Sequence, residues 1–288
     1  MNTQHVFDAC ILEATARKLG NVHPGEDFAD MTFLHFARSA AAIAPIFDMG
    51  LPVGATVLKC IQATRAVVPV NTNLGIVLLL TPLAAVAADV TIVDGIADVL
   101  QGLTVADAEA TYEAIRLAAP AGLNDVAKQD VHERPTVTLL EAMSLAQHRD
   151  RIARQYVKNY ADVFRYGVPA LLDGFAHHDN LEAAILECQL TLMCCFRDSH
   201  MERKYGNEVA DAITREAEAL QALGGYRTEG GLTAASALDA SLRKRKLNPG
   251  TTADLVTACL FIALRDHKLS ALTPFAFPAF RSAGSDGC

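Results

Sequence analysis

Apolar residues recur along this 288-residue chain at intervals of three and four, the spacing that lines one face of an α-helix. "VFDACILEATARKL" reads as an amphipathic opening helix ended by Gly20; "MTFLHFARSAAAIAPIFDMG" and "VGATVLKCIQATRAV" follow as two more. "TVADAEATYEAIRLA" starts with Thr104 three residues before Asp107, a capping box with Asp in the place of Glu or Gln. The spacing predicts one long or broken helix from about Thr138 to Tyr166, with Gly167 as its stop. "NLEAAILECQLTLMCCFRDSH", "MERKYGNEVADAITREAEALQALGG" and "TTADLVTACLFIALRDH" complete the helical set. Strand-like alternation is weak, and "TVTLL" and "VTIV" are its best instances.

The stretch "VPVNTNLGIVLLLTPLAAVAADV" stands apart. Asn71, Thr72 and Asn73 run directly into apolar residues that no charge interrupts until Asp89. Leu74 to Ala88 is shorter than the ~20 residues a bilayer needs and contains Pro82. It therefore reads as a buried core helix, kinked or begun at that proline. No repeat and no Gly/Ser linker divides the chain. The expectation is an all-α fold: a single compact multi-helix domain over residues 1–270 with a buried central helix. A partly disordered tail, 271–288, follows. The Phe and Pro residues of "TPFAFPAFRSAGSDGC" are expected to dock on the core or a partner, and Ser282 to Cys288 to fray.

Composition narrows the function. With 51% hydrophobic and 20% charged residues, disorder of the whole chain is excluded, and the absence of Trp with only 6% aromatics favours packed helices. A net charge of −8 argues against a nucleic-acid binder. It does not argue against a triphosphate held locally by Lys, Arg or Mg²⁺. The N-terminal segment has no basic region and no uninterrupted apolar run, so no secretory signal is expected. Cys10, Cys60, Cys188, Cys194, Cys195, Cys259 and Cys288 form no C-x-x-C pair. They read as reduced, mostly buried thiols of a cytoplasmic protein, with Cys194 and Cys195 as core packing.

Three loops share one design. "KLGNVHPGEDFADM", "NTNLG" and "NPGTTADL" each set Gly, Asn or Thr just before a helix, where unpaired N–H groups and the helix dipole suit an anion. Ordinary capping is the better explanation of any one of them alone, with Thr251 or Thr252 as the cap in the last. Asp30, Asp130, Asp150, Asp198 and Asp254 lie at helix edges or within helices, and Asp198 and Glu202 are four apart on one face of a continuous helix. Converging on one cavity, such acids make a hard-oxygen site. His177 and His178 read as a surface loop, and His23, His132 and His200 as core or rim residues near the loops. No Walker loop, Rossmann fingerprint or nucleophile elbow is present.

Taken in order, "ACILEATARKLGNVHPGEDFADMTFLHFARSA", "NTNLGIVLLLTPLA", "QDV", "RDRIARQY", "DSHMERKYG" and "NPGTTADLVTACLF" resemble the triphosphoribosyl-dephospho-CoA synthase family over roughly Ala9 to Phe261. The resemblance implies a transferase. ATP and 3′-dephospho-CoA would give 2′-(5″-triphosphoribosyl)-3′-dephospho-CoA and adenine, for prosthetic-group biosynthesis. It implies Asp30, Asp130, Asp150 and Asp198 as catalytic acids, and Mg²⁺ (or Mn²⁺) on Asp150, Asp198 and Asp254. Lys18, Gly20, Asn21, Asn71, Thr72, Asn73, Lys204, Asn248, Gly250, Thr251 and Thr252 would bind nucleotide. The partners expected are ATP and a CoA-like acceptor, with no nucleic acid and no membrane; a homodimer is allowed for. The chain departs from the family's usual Lys-Pro-Gly-Asn-Val at Leu19, and from its glycine-rich and His-Asp-Val pattern at Ala121 and Gln129. Leu19 leaves open a related ATP-dependent transferase or kinase acting on another cofactor precursor, for example in one-carbon metabolism. A non-catalytic nucleotide-binding scaffold is the third reading. A proline restored at position 19 is expected to be neutral or helpful for the synthase substrate.

Overall fold

The computed structural model describes residues 2–120 and 129–277, and among these no strand occurs. The chain forms α1 (Asn2–Thr15), α2 (Phe33–Ile43), α3 (Val53–Val67), α4 (Leu74–Ala84), α5 (Ile92–Gln101), α6 (Val105–Ala118) and α7 (Leu139–Ala146). It continues through α8 (Arg151–Val157), α9 (Val168–His178), α10 (Leu181–Cys195), α11 (Ser199–Tyr205), α12 (Asn207–Ala222), α13 (Glu229–Lys244) and α14 (Gly250–Arg265). The two strand-like stretches open helices instead. Thr138 of the first caps α7 by accepting from Glu141 N, and Thr91 of the second precedes α5.

Three buried helices, rather than one, make the centre. On α4 Leu74 and every residue from Ile76 to Leu83 is buried; on α14 every residue from Leu255 to Leu264 is. On α10 both sides are apolar. Ile185, Cys188 and Leu192 enter the larger core with α1, α4 and α14, while Leu186, Leu190 and Met193 enter a second core with α11, α12 and α13. Each set follows helical spacing, so α10 joins the two cores and has no solvent stripe of its own. Among the described residues no helix is long and apolar enough to cross a membrane.

Pro82 lies in the last turn of α4, which starts at Leu74 and not at the proline. Lacking an N–H, Pro82 leaves the Leu78 carbonyl without its helical donor. The Tyr156 hydroxyl supplies one at 2.6 Å, and the Tyr160 hydroxyl donates to Leu79 O at 2.7 Å. Both tyrosines are fully buried, so these bonds replace ones that water cannot make.

The segment expected as one long or broken helix from Thr138 to Tyr166 is broken, into three pieces. Asp150 caps α8 through Ile152 N and Ala153 N, and Asn159 and Tyr160 take left-handed φ values of 48° and 57° before a π-helical turn, Val163–Gly167. Gly167 does not stop the chain, which runs directly into α9. A Cβ there would lie 2.4 Å from Cys259 Sγ, so glycine lets α14 pack closely. His177 and His178 end α9 rather than lying in a loop, and His178 Nε2 is 3.2 Å from Glu187 Oε1. Of the pair expected as core, Cys194 is half-buried against the second core, but Cys195, at the end of α10, is exposed. The start of the tail docks on α10. Leu181 N donates to Pro274 O, Asn180 Nδ2 to Phe275 O, and Phe277 N to Glu182 Oε2. Ala121 and the segment Ser282 to Cys288 lie outside the described residues.

Candidate functional site

The N-terminal turns of α4 and α14 open onto one cavity of about 1260 Å³. The "NTN" loop divides its work among three side chains. Asn71 Oδ1 caps α4 by accepting from Leu74 N at 3.1 Å. Thr72 Oγ1 pairs with Ser39 Oγ at 2.6 Å on α2, and Asn73 Nδ2 donates to Thr64 Oγ1 at 2.9 Å on α3. One polar side chain thus caps the helix while two fasten the loop, and all three reach the cavity wall. Gly75, next along, is packed against Asp254.

Asp198 joins the other helices that start here. Its Oδ1 accepts from Met201 N at 3.0 Å, capping α11. Its Oδ2 accepts from Thr252 N at 2.7 Å and Thr252 Oγ1 at 2.9 Å in the first turn of α14. Capping of α14 therefore comes from a distant aspartate and not from Thr251 or Thr252. Thr251 Oγ1 instead takes the His200 N–H and the Ser199 hydroxyl, each at 3.1 Å. Asp198 is the N-cap residue of α11, so it does not share a helical face with Glu202, which reaches the cavity alone.

Most of the residues expected at the site meet on this wall. Asn21, Asp30, Asn71, Thr72, Asn73, Asp130, Asp150, Lys204, Asn248, Gly250, Thr251 and Asp254 all line the cavity. Four do not: Lys18, Gly20, Asp198 and Thr252 lie behind it. Lys18 is fully buried, with Nζ 2.9 Å from Glu13 Oε1, so its charge is spent inside the protein on Glu13 rather than on a ligand. Gly20, at φ +68°, sits against Leu247 O, which a Cβ would approach to 2.8 Å. It is needed for loop packing. Asp198 and Thr252 hold one another.

Charges on the wall are mixed. Asp150 Oδ2 is 3.4 Å from Arg203 Nη1, while Asp130 accepts from His132 N at 2.8 Å. Asp254 has no hydrogen-bond donor among the described residues. Burial, with the Glu13, Asp198 and Asp150 carboxylates beside it, pushes its carboxyl well above the usual range, against the opposing effect of Arg203. Burial likewise pushes His200 below the ordinary imidazole range, with Asp198 opposing and Arg203 and Lys204 assisting. Lys204 and Lys246 are exposed at the wall and form no ion pair among the described residues.

Sequence reasoning missed Glu13, Tyr112, Arg149, Arg203, Arg243 and Lys246 on this wall. Glu13 had a signal: it occupies the buried stripe of α1 with Val6, Ala9, Cys10 and Ala14. Arg149 and Arg203 lay within the quoted segments "RDRIARQY" and "DSHMERKYG"; Arg243 and Lys246 had no signal, since each falls at an ordinary polar position.

Asp150, Asp198 and Asp254 do not make a preformed metal cage. Among the described residues no three His, Cys, Asp or Glu side chains are placed to hold one ion.

Comparisons with known proteins agree with this architecture. The family described as ATP:dephospho-CoA triphosphoribosyl transferase matches residues 3–272. A probable 2-(5''-triphosphoribosyl)-3'-dephosphocoenzyme-A synthase of Salmonella gallinarum is 34% identical over 86 residues, 30% of this chain and 28% of that protein. One of Pseudomonas syringae pv. syringae is 27% identical over 152 residues, 50% of each chain. The matches thus span between 28% and 50% of these relatives. A crystal structure from Archaeoglobus fulgidus, assigned as a triphosphoribosyl-dephospho-CoA synthase, superposes with a TM-score of 0.62 at 28% identity, covering 79% of this chain and 97% of that one. From α1 to α14, the chain belongs to the ATP:dephospho-CoA triphosphoribosyl transferase family.

Proposed function

We propose that the protein transfers the 5-triphosphoribosyl group of ATP to the 2′-hydroxyl of 3′-dephospho-CoA. The observation that carries this reading is the meeting of the "NTNLG" and "NPGTTAD" loops, far apart in sequence, on one cavity of about 1260 Å³. That is larger than the roughly 300–1,000 Å³ typical of a site for one small molecule. In the reaction the bond between ribose C1 and adenine N9 breaks and the base leaves with the electron pair. The acceptor oxygen bonds to C1, and its proton is balanced by one taken up by adenine.

The residues divide this work. The first turns of α4 and α14, with Lys204 and Lys246, present N–H groups and positive charge to the triphosphate. Asp30, Asp130 and Asp150, among the acids on the wall, can support positive charge at the sugar and receive the hydroxyl proton. Asp254 fits a divalent ion by its chemistry. It is a carboxylate without a protein donor, among other carboxylates, and Mg²⁺ is commonly held by one or two carboxylates together with substrate phosphates. Asp150 is less free, its Oδ1 accepting from Ile152 N and Ala153 N and its Oδ2 lying 3.4 Å from Arg203 Nη1; Asp198 has both oxygens engaged within the protein. Mg²⁺, or Mn²⁺ in its place, would neutralise the triphosphate against these acids.

Leu19, the departure that motivated a retasked transferase or kinase, is fully buried and off the cavity wall. The loop still delivers Asn21 to the cavity, which supports the synthase reading over its alternatives. ATP as a substrate, with the free cysteines of the described residues, supports the cytoplasmic expectation. Doubly labelled ATP tests the assignment. A label in the γ-phosphate should move to the CoA product while a label in the base appears as free adenine; the base label found in ADP or AMP, with the γ label in a phosphorylated acceptor, phosphate or pyrophosphate, would defeat it.

A further inference from the structure

Gln189 is fully buried in the middle of α10, where an amide is costly unless every polar atom is satisfied. Its partners fix which way round it lies. Leu19 N can only donate, and it donates to Oε1 at 2.8 Å; Leu19 O can only accept, and it accepts from Nε2 at 3.0 Å. Nε2 therefore also donates to Asn21 Oδ1, at 2.9 Å. With its oxygen facing Gln189, Asn21 turns Nδ2 toward Asn248 Oδ1, at 2.6 Å. Asn248 lines the cavity, and among the described residues no acceptor takes its side-chain N–H groups.

We infer that Gln189 is a positioning residue: through Asn21 it turns the Asn248 amide so that N–H, not oxygen, faces the cavity and donates to an anionic oxygen of the ligand. This deepens the proposed function and rests on it, the anion being a phosphate of the triphosphate chain. The direction is set by backbone groups that have only one hydrogen-bonding role, so it does not depend on assigning amide nitrogen and oxygen by appearance. The surroundings match the polarity. Asn248 lies two residues before the first turn of α14 and two after Lys246. The relay also gives the Leu19 N–H a task that a proline at that position lacks the hydrogen to perform.

Calorimetric titration of the full chain with inorganic tripolyphosphate reads the relay. Asn248→Ala removes the donor and should weaken binding about tenfold, the scale of one hydrogen bond to a charged group. Gln189→Glu keeps the shape but sets an acceptor against Asn21 Oδ1, so both asparagines turn over and oxygen faces the ligand. A loss of similar size should follow. In the double variant Gln189→Glu should cost nothing further, whereas a merely structural role would lower the melting temperature and leave the two losses additive. Should Gln189→Glu not fold, the wild-type protein carries the test. The Asn248 side-chain amide resonances should shift on saturation with tripolyphosphate. Full additivity, unchanged affinity in folded Gln189→Glu, or unmoved Asn248 resonances at saturation overturns the relay. A wild-type protein that binds no tripolyphosphate overturns the anion site itself, and with it the proposed function.

Discussion

The carboxylate of Asp254 occupies the space in which a side chain at Gly75 would begin, for a Cβ placed there would lie 2.0 Å from Asp254 Oδ2. The glycine of "NTNLG" and the aspartate of "NPGTTAD" are two halves of one contact. Gly75→Ala should therefore destabilise the protein by about 1–3 kcal/mol, as over-packing does, and weaken ATP binding. Adding Asp254→Ala should restore part of that stability without restoring binding. Denaturant unfolding of the two single variants and the double variant measures the coupling; strict additivity would mean that the two residues do not meet.

Leu19→Pro should destabilise the fold, a separate matter from its effect on the substrate. It removes the Leu19 N–H bond to the buried Gln189 Oε1 and displaces a fully buried leucine from the second core. An unsatisfied buried acceptor alone costs about 1–3 kcal/mol. The midpoint of urea unfolding should fall, and a midpoint at or above the wild-type value would refute this account of the loop.

Asp198 and Asp254 should behave as opposites, although both were expected to bind metal. Asp198→Ala uncaps α11 and α14 together and should cost roughly 2–4 kcal/mol, at about 1–2 per cap. Asp254→Asn should raise stability at neutral pH. The folded protein holds a proton on Asp254 more tightly than the unfolded chain does, so ionisation penalises the native state. That penalty is absent below the unfolded carboxyl pKa of about 4 and grows as pH rises through and beyond it. The melting-temperature gain of Asp254→Asn should accordingly be small in acid and larger at pH 7. Mg²⁺ with ATP should stabilise the wild type and not the variant. A gain that is largest in acid would reverse the assignment.

Tyr156→Phe should lower stability by about 1–3 kcal/mol by stranding the Leu78 carbonyl beside Pro82, while turnover at a temperature where the variant is folded stays near wild type. A loss of turnover in the folded variant would place Tyr156 in the chemistry instead.

Fold class and the loops that open on the cavity were legible because both rest on local pattern. Helical spacing marked nearly every element, and the Gly, Asn and Thr clusters marked where two helices open on the cavity. What was not legible depends on which distant group satisfies each backbone atom. The capping-box pattern put the cap of α14 on its own threonines, but Asp198 arrives first from α11. Lys18 looked like a ligand residue because it stands in a loop that suits an anion; only packing shows Glu13 enclosing it. A broken helix was allowed for, but the places of its breaks, Asp150 and Tyr160, were hidden because capping and left-handed turns leave the apolar spacing on either side intact.

The account's central claim, that one cavity joins both loops to transfer a triphosphoribosyl group, is tested most directly by chromatography of the reaction with ATP, Mg²⁺ and 3′-dephospho-CoA. Free adenine should appear in equal amount to a heavier CoA product, at a rate that falls sharply in Asn71→Ala and in Asp254→Ala while both variants remain folded. ADP or AMP in place of adenine, or adenine release that survives both substitutions unchanged, would contradict it.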